Sequence, residues 1–294
     1  MDFDTFLGRA WADHAGDAAA VAARLAADGP GLVGEEAQIA PLANLVHHVY
    51  GEHLGRWAEG QALLRRLSAL AACGAGGPAA AALARFEASL ALCDGAADKR
   101  AAMAPSDRIR VNALAAANLT ERDTPRAGAL FGEALAEAGR AGLDGADPTN
   151  RALAVTANNL ACTLEQKPGR SAAERELMIR AAEAGRHFWA LAGTWLETER
   201  AEYRLAMTWL QAGDPARARR HAVSCLAIVQ DHQAPALEQF FAWEARALAE
   251  SAAGDAAAHA DAVARARAAF AGLDADDRSW CQASLDALQR SAAA

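Results

Sequence analysis

The sequence predicts an all-α protein built as a stack of helical hairpins, on three observations. Alanine dominates, while valine, isoleucine, tyrosine and threonine are scarce, so backbone propensity favours helix over strand. Apolar residues recur three and four positions apart, as in Leu83, Phe86 and Leu90 or Leu130, Ala134, Leu135 and Ala138, and no stretch alternates as a strand would. Short breakers cut these blocks with a rhythm. Turns near Asp123, Gly169, Gly213 and Gly254 are roughly 41 to 47 residues apart, with a longer interval back to Gly55, and such a period signals stacked helix pairs.

Taken in order, residues 1–34 form a helical hairpin at one end, broken at GDAA from position 16 and DGPG from position 28. Residues 36–272 hold the repeats, cut at LGR (54), CGAGGP (73), DG (94), ERDTP (121), LDGADP (143), KPGR (167), AGDP (212) and AGDA (253), which gives about a dozen helices of ordinary length in the chain. Between 78 and 105 a short DGAADKRAAMAP segment stands where a full second helix is expected. Residues 274–291 read as a lone amphipathic helix, started by Asp276 or Asp277, that covers the apolar face of the last hairpin. A single alanine-rich hairpin cannot bury its own apolar face. Stacking makes one continuous core and leaves a concave surface lined by the first helix of each pair, so the chain is expected to be a single domain.

Aligning the turns sharpens this expectation. In AEYRLAMTWLQAGDPARARRHAVSCL, Leu205, Ala206, Trp209, Gly213, Ala218, Ala222 and Cys225 fall at helical spacings. NALAAANLTERDTPRAGALFGEAL places Leu114, Ala115, Ala127, Phe131 and Ala134 comparably, and LGRWAEGQALLRRL places Gly55, Trp57, Gly60, Leu64 and Leu67. The pattern resembles a tetratricopeptide repeat. VTANNLACTLEQKPGRSAAERELMIRAA is similar to the long-helix repeats of the kinesin light chain type through Asn158, Asn159, Leu160 and Ala161, with Pro168 as an extra turn residue. The resemblance implies a right-handed α-solenoid of antiparallel hairpins whose groove holds an extended peptide.

Charge and composition narrow the function. A formal net charge of −8 gives no global positive field to draw in nucleic acid or an anionic membrane. The acidic start MDFDTFLGRAW is unlike a signal peptide, and no apolar run spans a bilayer, so a cytoplasmic protein is expected. Five scattered cysteines, never in a C-x-x-C pair, read as small buried hydrophobes. No phosphate loop, dinucleotide fingerprint or nucleophile elbow is present, so neither catalytic residues nor a cofactor is expected. HHVYGEHLGRW, from position 47, packs three histidines and a glutamate together. On an α-helix His48 and Glu52 share a face, while His53 points about 140° from His48. The three rings therefore do not converge, and the segment reads as a helix end leading into the Gly55–Trp57 turn, with no metal site.

The groove supplies the candidates. Under the resemblance its inner helices present Asn112, Asn158, Asn159, Tyr203 and Arg204. Asparagine offers a donor and an acceptor to a peptide backbone, and Arg204 a fork for a carboxylate. Asn112, or one of the Asn158–Asn159 pair, could equally bond a neighbouring helix. The late aromatics are expected mostly as core wedges, with Phe240–Phe241 beside Trp243, which cannot all face one core from adjacent helix positions, as the best candidate for one or two that floor a hydrophobic pocket. Glu197, Glu199 and Glu202 read as a solvated face or as partners of Arg200 and Arg204, and the Arg217, Arg219, Arg220 and His221 cluster as a solvated face. The leading expectation is an adaptor holding an extended segment of a partner protein. The alternatives are a regulatory module that senses a peptide or small ligand and acts on a separate effector, and an enzyme built on a helical scaffold.

Overall fold

The computed structural model describes residues 1–96 and 98–292. It is 80% helical with no strand among those residues, so the chain belongs to the all-α class. Among the described residues, fifteen α-helices follow one another in two compact units, Met1–Leu143 and Asp144–Ala294.

The first unit contains α1 (Phe3–Asp13), α2 (Ala18–Ala27), α3 (Gly29–Leu32), α4 (Ile39–His47), α5 (Trp57–Ser68), α6 (Pro78–Cys93), α7 (Pro105–Leu119) and α8 (Thr124–Ala141). Local chemistry sets the boundaries. Asp2, Asp17 and Asp123 cap α1, α2 and α8 by accepting backbone N–H groups, and Pro78 and Pro105 open α6 and α7 where no N–H is needed. The segment after α6 carries only a 3-10 turn over Arg100–Ala102, so no full second helix stands there; Ala97 within it lies outside the described residues. Phe6, Leu25, Leu42, Leu45, Val49 and Leu64 form one core with both N-terminal helices packed into it.

HHVYGEH departs from the α-helical reading. Residues His48–His53 form a π turn, with Leu54 N–H donating to the Val49 carbonyl five positions back. The wider turn stacks residues five apart, so His48 and His53, expected to diverge, meet with Nε2 atoms 3.1 Å apart. The reason lies outside the segment. Gly51 packs so closely on α7 and α6 that a Cβ there would sit 2.4 Å from Asn118 Oδ1, and the Tyr50 hydroxyl reaches the Ala22 carbonyl at 2.9 Å. His47, by contrast, is a core histidine. Burial pushes its pKa down to about 4, and its Nε2 lies 2.7 Å from Ser89 Oγ and 3.1 Å from Asn118 Nδ2.

The second unit contains α9 (Pro148–Gln166), α10 (Ala172–Ala192), α11 (Trp195–Ala212), α12 (Pro215–Asp231), α13 (Ala236–Ala252), α14 (Ala256–Ala271) and α15 (Ala275–Ala292). Gly213 and Gly254 take positive φ where α11 and α13 end, and the aspartate after each caps the next helix, which is why the AGDP and AGDA breakers read correctly. Ser171–Glu174 and Thr194–Glu197 close reciprocal capping boxes. Each helix packs on its successor. In addition α11 packs on α9 and α13, and α13 on α15. Buried Ala154, Ala157 and Ala161 on α9, with Ala181 and Ala182 on α10, keep these long helices close. α15 covers the pair before it through Cys281, Leu285 and Leu288. Its start differs in detail from the expectation, since Asp274 rather than Asp276 or Asp277 accepts the Asp277 N–H at 2.9 Å.

Among the described residues, no helix is long and apolar enough to cross a membrane. Cys93, Cys225 and Cys281 are buried, Cys73 and Cys162 partly so, and all five are free thiols.

Candidate functional site

The alternate packing of the second unit leaves a cleft of about 390 Å³ bounded by four helices. α11 supplies Glu199, Arg200, Tyr203 and Arg204, which fall on one face because they are three or four positions apart. α13 supplies Leu237, Glu238 and Phe241 with the same spacing, α9 supplies Asn158, and α15 supplies Trp280.

One end is aromatic. Phe241 meets Tyr203 edge-on at 5.6 Å between centroids and Trp280 at 5.2 Å, and Trp280 is 66% exposed, so a broad apolar face is left open to a ligand. The polar side is largely prearranged. The Tyr203 hydroxyl donates to Glu244 Oε2 at 2.9 Å, and burial, reinforced by that carboxylate, holds its pKa well above the usual phenol value. Arg200 reaches Glu238 at 2.9 Å. Arg204 pairs with Glu165, which also accepts from Thr208, while Arg204 Nε is buried without an acceptor. Asn158 is half-buried and its amide makes long contacts, 3.4 Å to Asn159 and 3.8 Å to the Cys162 sulfur, so it is loosely held.

No family model matches the chain, and neither a curated protein nor a solved structure matches it.

Of the five groove candidates in the sequence, Asn158, Tyr203 and Arg204 line this cleft. Asn159 is exposed next to Asn158, one helical step off the lining face. Asn112 lies in the first unit, 3% exposed, its Oδ1 accepting from the Arg100 side chain at 2.5 Å, a bond to the segment between α6 and α7 rather than to a neighbouring helix's backbone. The aromatic triplet splits: Phe240 is fully buried, Phe241 lines this cleft, and Trp243 borders a different hollow with Arg265 over its ring at 4.9 Å.

The carboxylates of α11 correct the solvated-face reading. Glu199 and Glu202 are buried at 1% and 7% exposure. Glu202 accepts from Arg186 at 2.6 Å and lies 2.7 Å from His221 Nδ1. Glu199 faces Cys225 Sγ at 2.9 Å, and burial raises its pKa to about 7. The basic cluster on α12 divides: Arg217 and Arg220 are exposed, as a solvated face requires, with Arg217 over the Trp209 ring at 4.3 Å, whereas Arg219 pairs with buried Glu250 and His221 with Glu202. Leu237, Glu238 and Trp280 had no sequence signal for a site, because they reach the cleft only through the packing of α13 and α15 on α11.

Proposed function

We propose that the second unit is a peptide-binding module that grips an extended segment of a partner protein through one large apolar side chain and the adjoining backbone. On this reading residues 36–272 are tetratricopeptide-like repeats of antiparallel hairpins in a right-handed solenoid, and the chain is a cytoplasmic adaptor without nucleic-acid or membrane partners.

The observation that carries it is the cleft itself. Asn158, Tyr203 and Arg204, which the repeat pattern assigns to a groove, line one cavity, and an open aromatic face shares that cavity with the loosely held Asn158 amide. The packing of α11 on both α9 and α13 supports an inner layer of first helices. Tyr203, Phe241 and Trp280 would receive the apolar anchor, Asn158 would pair with peptide N–H and C=O groups, and Arg200, once drawn from Glu238, would meet an acidic neighbour.

The test is selection of peptides from a random display library, followed by affinities for the wild type and for an Asn158→Ala, Trp280→Ala double variant. Both side chains are accessible, so the variant should keep its helical spectrum. Peptides sharing an apolar anchor and losing about tenfold or more in affinity, about 1.4 kcal/mol, support the module. No enriched peptide, or equal binding to both proteins, would sink it.

A second reading, an enzyme on a helical scaffold, is favoured by Glu199, whose pKa of about 7 suits proton transfer at neutral pH. It predicts turnover of some substrate that Glu199→Gln abolishes while peptide affinity is unchanged.

A further inference from the structure

The first unit carries a second constellation. His14, at the C-terminal end of α1, joins His48 and His53 of the π turn, and the three offer ring nitrogens all within 4.8 Å of one another. The ring centroids form a near-equilateral triangle, with His14 5.0 Å from each of the others and His48 4.6 Å from His53. We propose that this triangle is a zinc-class site: three neutral imidazoles holding one divalent transition ion, with water in the fourth position.

The distances suit the ion. Zinc–nitrogen bonds of about 2.0–2.1 Å in a tetrahedron set neighbouring nitrogens about 3.3 Å apart, and His48 Nε2 and His53 Nε2 already lie 3.1 Å apart. Both nitrogens share the space of one proton, which an ion replaces.

Two of the rings are also oriented from behind. His48 Nδ1 lies 3.2 Å from Glu52 Oε2, which leaves its Nε2 as the ligating atom. His14 Nδ1 lies 2.5 Å from the Trp11 carbonyl, which leaves its Nε2 as the ligating atom. A carboxylate or carbonyl on the far nitrogen fixes the tautomer and raises ligand basicity. Trp11 packs at 5.2 Å from His14 and 5.4 Å from His48, walling one side, while exposed His53 leaves the other open for entry. Arg122 is engaged with the Glu52 and His53 carbonyls at 2.8 and 2.9 Å, so that backbone is fixed around the site. With only nitrogen donors, the site selects against calcium and magnesium, which take oxygen. A bound ion would tie α1 to the π turn.

The decisive experiment is calorimetric titration of zinc chloride into the full-length, untagged, chelator-washed protein, alongside thermal unfolding with and without EDTA. The expected result is one ion per chain and a melting temperature that rises with zinc and falls back with EDTA. His53→Ala, at an exposed position, and His14→Ala should each weaken binding at least about 100-fold, Glu52→Gln roughly 10- to 100-fold, and His187→Ala, on α10, not at all. Absence of stoichiometric binding in the wild type would overturn the site, as would binding that survives both histidine variants or calcium binding of equal strength. Spectroscopy of the cobalt-loaded protein gives a readout independent of stability, a nitrogen-coordinated tetrahedral spectrum being expected.

Discussion

Glu199 is 1% exposed with its carboxyl 2.9 Å from the Cys225 sulfur, and its burial sets a pH dependence. Its pKa is raised from 4.5 to about 7 on folding, so between these values the folded protein keeps a proton that the unfolded chain releases. The stability due to the neutral carboxyl is whole below about pH 4.5 and is lost as pH rises through about 7. Glu199→Gln should therefore melt above the wild type at about pH 8.5 and close to it at about pH 5, checked by calorimetry at both; parallel melting curves across that range would contradict the buried, protonated acid. Nothing in LETERAEYR distinguishes Glu199 from Glu197, because both read as exposed helical acids. Glu197 folds back onto Thr194 as a cap, whereas Glu199 points at a neighbouring helix, and only the packing of α11 on α12 separates them.

At the scale of one element, the π turn is the clearest case of a tertiary contact overriding local periodicity. Gly51 lets the backbone approach Asn118 and Leu90 closer than any side chain allows. Gly51→Ala should lower unfolding stability by about 1–3 kcal/mol, as overpacking does, measurable by urea denaturation; a neutral substitution would show that the close approach is not required. The sequence places His48 and Glu52 on one face, and they meet. On an α-helix, steps of about 100° per residue would set His53 about 140° from His48, whereas the chain adopts the wider turn, and no local pattern brings His14 across from another helix. The helix breaks are more legible. Gly213–Asp214 and Gly254–Asp255 stop one helix and cap the next through interactions spanning only a few residues.

At the scale of the molecule, two core clusters of the second unit, running from Trp195 to Leu288, are built from its own residues, as is the lining of the cleft. A fragment of residues 144–294 should then fold, with the helical circular dichroism of a compact domain, and should bind the peptides selected by the full chain with affinity within about threefold, less than 1.4 kcal/mol. An unfolded fragment would show that the unit depends on residues before Asp144.

The sequence by itself determined the all-α class and helix breaks such as those at Gly213 and Gly254, because propensity, capping and period act over one or two turns of chain, and its repeat pattern named three of the residues that line the cleft. Only the tertiary structure decided that Trp280 completes the cleft, that Arg204 is matched by Glu165, that Asn112 serves its own unit and that His14 meets His48 and His53. Each of these pairs residues dozens of positions apart or lying on separate helices, where the rotation of one helix against another, set by close packing of small side chains, selects which groups meet.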